Sequence, residues 1–546
     1  MFNVILFTDT PEMNSRTRGY GVHRLATHIR NEGYSCLVVD FMSGLTLSDY
    51  KKICDYAVGN QTLMIGVSLT WLPYRLGSNE SGENKLQTHD PGRDIQNGIK
   101  DKIINKEYGY FSNKMNLAIS NNDVDPWFDY VKKLNPNIKI CLGGSKIGMY
   151  LDIKMVDHFF VGYSETMLTD YLDSLSGKKE GIIWNRIIDY DPKAQKPVWD
   201  FTLSRTQYTE FDLIQSQEPL SLEVGRGCRF KCKFCSYPLI GMKNINSYIK
   251  KSDNLRDELI DNYEKHGTTR YFIIDDTFND SLEKVEYFLN VVKSLPFRIY
   301  YWCYLRLDLL AAFPKMIPML KESGMIQCYF GIETFNVKAG RSVGKGGRPD
   351  KLKETLYKCK EIWGGEVSIQ AGFIVGLPHE DSESIMNTAM WLARPDCPID
   401  IKWIVPLSIG GPSEVMKYTY TSEFDRNFEK YGYSFPNPAE FWKWQKQDGT
   451  DITSSEIAED ISKKAETFLQ NKTFTKDLNT ASLPHHVLSD IELTGSMTAE
   501  DYTRIVQTID IPELYQRSVK IDYFTELIEK LRIKRNIFSS SVDRDF

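Results

Sequence analysis

Short strands of almost wholly apolar residues, NVILFTD, SCLVVDF, TLMIGVSLT, NIKICLGGS and HFFVGYSE, alternate with helix-period stretches such as GVHRLATHIRNEG between Met1 and about Gly177. A strand that is apolar on both faces must be covered on both, and a parallel sheet wound with helices on either side meets that demand repeatedly. The pattern predicts an α/β chain that begins with a doubly wound parallel-sheet, Rossmann-like domain over about 1–180. A second series follows over about 221–412: LEVGRG, RYFIIDDTFND, RIYYWCYLRLD, IQCYFGIET, EVSIQAGFIVGLP and DIKWIVPLS, with helical stretches such as LEKVEYFLNVVKSL between them. Such βα units in line predict a partial (β/α)6 barrel of the TIM type, whose chemistry sits at the carboxyl ends of its strands. Residues 75–124 are polar with little periodicity and read as an insertion. Residues 181–220 read as a linker with a small strand pair, and 413–546 as a mostly helical cap over the barrel mouth. The length of 546 residues suggests roughly three or four domains.

Composition removes several classes of function. A hydrophobic share of 41% fills packed cores without a metal or disulfide staple. The ten cysteines are scattered apart from one cluster, which points to a reducing, cytoplasmic setting. The first apolar run is short and lacks a basic leader, so it reads as a strand and not as a signal peptide. No run is long enough to cross a bilayer. A formal charge of −6 gives no general attraction to phosphate backbones, and nucleic acid is not indicated.

The one cysteine cluster is GRGCRFKCKFCSYP, which follows the first barrel strand. Cys228, Cys232 and Cys235 leave a tetrahedral zinc site one ligand short, whereas a 4Fe-4S cluster held by three thiolates keeps one iron open. Arg226, Arg229, Lys231 and Lys233 favour thiolate and an anionic cluster, with a solvated loop as the plainer reading for some of them. In the first domain, Thr8 and Asp9, Ser68 and Thr70, and Gly143, Gly144 and Ser145 stand at strand ends, where doubly wound sheets bind ligands. Read singly, each is an ordinary turn.

Further stretches fall in order at barrel strand ends: Asp275, Asp276 and Thr277; Arg306 and Asp308; Gly324, Gly331 and Glu333; Gly372, Gly376, Pro378 and Glu380. With CxxxCxxC they make residues 223–412 resemble the radical S-adenosylmethionine (SAM) superfamily. The resemblance implies a 4Fe-4S cluster on Cys228, Cys232 and Cys235, SAM bound at the open iron, and reductive cleavage to a 5′-deoxyadenosyl radical that removes a hydrogen atom from substrate. Period-2 alternation puts Trp302, Tyr304, Arg306 and Asp308 on one strand face, and Tyr329, Gly331 and Glu333 together with Cys328 opposite. In that setting Arg306 is a candidate for the methionine carboxylate and Glu333 for ribose hydroxyls or the amino group. The competing reading has Arg306 and Asp308 neutralise each other. Asp275 and Asp276 stand where many relatives have Gly-Gly-Glu on the methionine-binding side. Gly331 and Gly376 admit a closely approaching ligand or backbone.

The order of domains is similar to the branch of that superfamily with an N-terminal cobalamin-binding domain, on GVHRLATHIRNEGY, VVD ending at Asp40, GVSLT, LGGS and FVGYSETMLTDYLDSLSG. The resemblance makes cobalamin a candidate cofactor, with Ser68, Thr70, Gly143, Gly144 and Ser145 along its nucleotide tail. The D-x-H-x-x-G signature that supplies a histidine to cobalt is missing, and His23 comes too early to replace it. The leading expectation is a cobalamin-dependent methyltransferase acting on an unactivated carbon. A cobalamin-independent oxidation, cyclisation or rearrangement stands against it, as does a non-catalytic iron–sulfur redox sensor. Implied partners are a small-molecule or peptide substrate and an external electron donor such as flavodoxin or ferredoxin. Tyr433, Trp442 and Trp444 read as packing or as substrate stacking, and His485 and His486 as surface or metal-binding residues.

Overall fold

The computed structural model describes residues 1–8, 18–40, 47–68, 125–144, 147, 151, 153–189, 199–216, 218–236, 248–409, 421–435, 442–445, 452–472 and 522–542. The chain forms two compact units. The first comprises Met1–Asp200, Arg205–Ser216 and Ile509–Phe546, the second Phe201–Ser204 and Gln217–Thr508.

In the first unit, β1 (Val4–Phe7), β2 (Cys36–Val39), β3 (Met64–Ser68), β4 (Lys139–Gly144), β5 (His158–Val161) and β6 (Ile187–Asp189) make one parallel sheet ordered β2-β1-β3-β4-β5-β6. Val4, Leu6, Cys36 and Val38 pack on one face with Ala26 and Ile29 of the helix Tyr20–Asn31 and Leu168 and Leu172 of the helix Glu165–Leu175. Phe7 points to the other face, its ring 5.4 Å from that of Tyr50 in the helix Leu47–Ala57. This two-sided covering is what the doubly apolar strands demanded. The order reverses between β1 and β3, which makes their carboxyl ends the switch point where such sheets take ligands. Residues 75–124, expected as an insertion, lie outside the described residues.

Two expectations about domain organisation need correction. Residues 187–189, assigned to a linker, pair with β5 as a sixth parallel strand. The region 413–546 is not one cap on the barrel, because the helix Asp522–Val542 belongs to the first unit. Its Leu527 and Leu531 are buried, Lys530 donates to the Glu210 carbonyl at 3.0 Å, and Lys534 lies 4.3 Å from the Phe2 ring centroid. Tyr523 accepts from the Asp40 backbone N–H at 3.1 Å. Asp40 also accepts from Arg18 at 2.9 Å and contacts His23 Nε2 at 2.9 Å, all three side chains being shut off from water. His23 is therefore a core histidine, in keeping with its early position.

In the second unit, β7 (Leu220–Leu222), β8 (Arg270–Ile273), β9 (Tyr300–Leu305), β10 (Met325–Glu333), β11 (Ser368–Val375) and β12 (Ile401–Pro406) form a parallel sheet in sequence order. No pairing joins β12 to β7 among the described residues, so the barrel is partial. The lumen face carries Phe272, Trp302, Tyr304 and Tyr329, with Phe272 stacked on Trp302 at 5.4 Å and Tyr304 edge-on to Tyr329 at 5.6 Å. Cys328 is fully buried, and its neighbour Phe330 stacks on Trp363 of the helix Pro349–Trp363. After β12 come β13 (Tyr433–Ser434), β14 (Lys443–Gln445) and β15 (Ile452–Ser454), antiparallel, and then the helix Ser455–Lys472. Ser462 on that helix donates to the Ile404 carbonyl of β12 at 2.5 Å.

Burial pushes the Asp40 carboxyl up, but His23 and Arg18 outweigh it and hold its pKa below the ordinary aspartate value. A carboxyl depressed on folding stabilises above its unfolded pKa, about 3.9, and loses that contribution as pH falls through the lower folded value. Leu527→Ala should cost the first unit about 2–5 kcal/mol in urea unfolding. Arg18→Met should flatten the stability loss seen on acidification below about pH 4.

Candidate active site

The loop after β7 is pinned before its cysteines begin. Arg226 N–H donates to the Tyr248 carbonyl at 2.8 Å and Lys250 N–H to the Val224 carbonyl at 3.0 Å, so the chain leaves the barrel strand already paired. From β8, Asp275 accepts from the Val224 and Gly225 N–H groups at 2.8 Å each, and Lys284 lies 2.8 Å from the same carboxylate. Lys284 also faces Asp280 at 3.9 Å and donates to the Thr277 carbonyl at 3.2 Å. Burial works against the charge on Lys284, yet Asp275 and Asp280 outweigh it and hold its pKa above the usual lysine value.

Cys228 is buried, while Cys232 and Cys235 are half-buried. Phe230 N–H points at Cys228 Sγ from 3.5 Å, and Thr277 Oγ1 lies 3.5 Å from the same sulfur. Cys235 N–H donates to the Cys232 carbonyl at 3.1 Å, folding the second and third thiols into one turn. Arg306 Nη1 donates to Cys232 Sγ at 3.2 Å. The loop after β10 holds the same segment, Val343 O accepting from Lys233 N–H at 3.0 Å and Gly344 O lying 3.9 Å from Cys232 Sγ. Burial pushes the Cys228 thiol up against its Phe230 donor, while the Arg306 guanidinium donates at Cys232, so donors at two sulfurs stand ready for an anionic cluster. Among the described residues no group of three His, Cys, Asp or Glu is placed to hold a single metal ion.

The other expected residues divide. Asp275 does not face a ligand site, since its two oxygens are taken by backbone N–H groups and Lys284. Its neighbour Asp276 is half-buried, and its carboxyl is pushed up to about 7 by burial first, then by the Asp275 and Glu223 carboxylates. Arg306 is turned to Cys232 and to Asp308, whose oxygens it reaches at 3.0 and 2.6 Å, so the mutual neutralisation of Arg306 and Asp308 does occur. Glu333 takes φ +68°, a left-handed conformation uncommon outside glycine, at a register shift in the β10–β11 pairing. Lys345 Nζ lies 3.3 Å from it and donates to the Gly331 carbonyl at 2.8 Å. A Cβ on Gly331 would come within 2.6 Å of Glu333 Oε1, so this glycine makes room for the carboxylate. A cleft lined by Thr334, Asn336, Lys345 and Arg348 opens beside it.

Gly376, expected to admit a ligand, instead admits Trp442: a Cβ there would come within 2.5 Å of the indole, and φ is +99°. Trp442 donates to the Leu407 carbonyl at 3.0 Å and Tyr433 to the Gly376 carbonyl at 2.8 Å, so with the buried Trp444 these aromatics are packing. His485 and His486 lie outside the described residues. In the first unit, Ser68 and Gly143 face each other in the β3–β4 register and both are half-buried. Gly144 has φ +129°, and a Cβ on Gly143 would touch only Phe160, at 3.8 Å. The rim between these strand ends is thus lined by small residues, as a bulky flat ligand requires. Thr8 is buried and does not belong to it. Asp9, Thr70 and Ser145 lie outside the described residues. Lys284, Asn279 and the loop 343–346 were not anticipated. A lysine four residues after Asp280 at a helix start was the available signal for Lys284.

A family model of the radical SAM superfamily matches residues 222–392. Those residues, the second unit's sheet through β11 and the helix after it, thus match a radical SAM domain, whose family implies a 4Fe-4S cluster and SAM. TsrM of Kitasatospora setae, a radical SAM methyltransferase solved with cobalamin and a [4Fe-4S] cluster bound, matches with TM-score 0.57 at 12% identity over 95% of this chain and 99% of its own. OxsB, a cobalamin-dependent SAM radical enzyme, matches in its apo form with TM-score 0.52 at 12% identity, over 99% of this chain and 81% of that one. These likenesses establish the fold of two parallel sheets. An uncharacterized methyltransferase of Pyrococcus horikoshii is 21% identical over 48% of this chain, and the match spans 60% of that protein. No helix among the described residues is long and apolar enough to cross a membrane.

Lys284→Met would leave Asp275 and Asp280 buried without their cation. It should destabilise the second unit by about 3–5 kcal/mol in chemical denaturation, with the loss recovered in part by pairing it with Asp275→Asn.

Proposed function

We propose that the chain is a cobalamin-dependent radical SAM methyltransferase that transfers a methyl group to an unactivated carbon, with Cys228, Cys232 and Cys235 holding the cluster. The observation that carries the reading is the three-thiol loop, which receives N–H donors at two sulfurs and is gripped by the segments after β8, β9 and β10. Cys228, Cys232 and Cys235 would hold a [4Fe-4S] cluster, which would supply the one electron needed for reductive cleavage of SAM. Ser68, Gly143 and Gly144 at the first unit's rim would hold cobalamin, which would supply a methyl carrier. That rim, with Ser68, Gly143 and Gly144, supports this cofactor by its small residues, and the methyltransferase names of TsrM and of the Pyrococcus protein point the same way.

The chain's own residues do the remaining work. Asp276, set at the carboxyl end of β8, accepts from the N–H groups of the SAM amino group, and Glu333 accepts from ribose hydroxyls beside Lys345. Phe272, Trp302, Tyr304 and Tyr329 line the lumen with aromatic surface, which excludes water and strengthens the polar contacts made to SAM there. A small-molecule or peptide substrate and an external one-electron donor complete the reaction.

The test is the visible spectrum of the anaerobically reconstituted protein after incubation with hydroxocobalamin and desalting, together with assay of 5′-deoxyadenosine and S-adenosylhomocysteine. Retained cobalamin bands and both products are expected. Cluster absorption with 5′-deoxyadenosine alone moves the assignment to a cobalamin-independent oxidation, cyclisation or rearrangement, and an intact cluster without SAM cleavage moves it to a redox sensor. Gly143→Leu should abolish cobalamin retention and leave iron content unchanged.

Cys232→Ala should leave the polypeptide folded while removing cluster absorbance and all 5′-deoxyadenosine. A carboxyl near pKa 7 must be ionised to accept from both N–H groups of the SAM amine, so SAM affinity should rise about tenfold between about pH 6 and 8. Asp276→Asn should bind SAM weakly and without that pH dependence, read by equilibrium binding to the reconstituted protein.

A further inference from the structure

We propose that Arg306 is a positioning residue for the cluster, which acts through Cys232 to raise the cluster's reduction potential, and not the group that binds the SAM carboxylate. The proposal rests on the reading of Cys232 as a cluster ligand.

Arg306 is held from every side. Its backbone N–H donates to Asn279 Oδ1 at 2.8 Å, and its carbonyl accepts from Asn279 Nδ2 at 2.9 Å, with Asn279 wholly buried. Its Nε and Nη2 fork onto the two oxygens of Asp308 at 3.0 and 2.6 Å. The guanidinium carbon lies 3.9 Å from the centroid of the Phe230 ring, and the side chain is 5% exposed. One direction is left for Nη1, and it leads to Cys232 Sγ at 3.2 Å.

Asp308 balances much of the guanidinium charge, so what reaches the sulfur is chiefly a directed, charge-assisted hydrogen bond. Hydrogen bonds to cluster sulfurs are a main determinant of cluster potential: they stabilise the reduced, more negative state more than the oxidised one. Lysine cannot replace this arrangement, because a single ammonium lacks the planar fork that serves Asp308 and Cys232 together. The loop after β10 is shaped around the same pair. A Cβ on Gly346 would meet Asp308 Oδ2 at 3.0 Å, and Gly344, at φ +79°, places its carbonyl beside Cys232 Sγ.

The experiment compares wild type, Arg306→Gln and Arg306→Lys after anaerobic reconstitution. Iron content, the midpoint potential from an EPR-monitored redox titration without SAM, and SAM affinity are measured for each. Both variants should retain iron and SAM affinity within about threefold. Both should shift the midpoint to more negative potential by the equivalent of about a tenfold change in reduced-to-oxidised ratio, about 59 mV for one electron. If Arg306→Gln fails to fold or to hold iron, Arg306→Lys carries the test. An unshifted midpoint overturns the proposal, and an unshifted midpoint with SAM affinity reduced tenfold or more assigns Arg306 to the carboxylate instead. A lysine variant with the wild-type midpoint also overturns it, since charge alone would then suffice. A wild-type protein that takes up no iron fails the cluster reading itself, a result distinct from all of these.

Discussion

Lys284 and Asp275 meet at 2.8 Å with neither side chain exposed, and the placement of the cysteine loop follows from that contact. Taking both charges out of water is costly, and a buried pair of this kind is poor evidence for net stability. Its value lies in where it puts the two oxygens of Asp275. Each receives a backbone N–H, one from Val224 and one from Gly225 just beyond β7, which fixes the turn into the cysteines. An apolar pair of equal volume would fill the space and leave those N–H groups without acceptors.

The thiols then inherit a frame from the same strand end and two more. Thr277 after β8, Arg306 after β9 and the segment around Gly344 after β10 each reach the loop that follows β7. A parallel barrel brings its carboxyl ends together, which is why residues far apart in sequence converge on a short loop. Rigid support of this sort keeps a bound group in one geometry through changes of charge, with little reorganisation of the protein.

Much of this was legible in the chain. The doubly apolar strands announced two parallel sheets, and the spacing of the cysteines with the later strand-end residues announced the superfamily. Period-2 alternation assigned Cys328 and Tyr329 to opposite faces because that periodicity is local. What could not be read were relations that depend on a distant partner. Asp275 and Asp276 are adjacent and chemically identical, yet one is consumed by Lys284 and two backbone donors while the other keeps a half-buried carboxylate. Gly376 signalled close approach, but nothing in its neighbourhood named Trp442 as the visitor. YFTELIEKLRI announced an amphipathic helix without saying which unit its apolar stripe would cover.

That last relation gives the first unit an unusual history. Its sheet is built from the opening part of the chain, while the helix of Leu527, Leu531 and Tyr523, which packs on the helix Leu47–Ala57 of the same unit, is synthesised only after every residue of the barrel unit. At ribosomal rates of roughly 5–20 residues per second, the sheet waits on the order of tens of seconds for its last helix. During that interval Phe2 lacks the Lys534 cation over its ring and the Asp40 N–H lacks its Tyr523 acceptor. The barrel unit, by contrast, is complete on the nascent chain before that helix emerges, so the second unit can close while the first still lacks its final element.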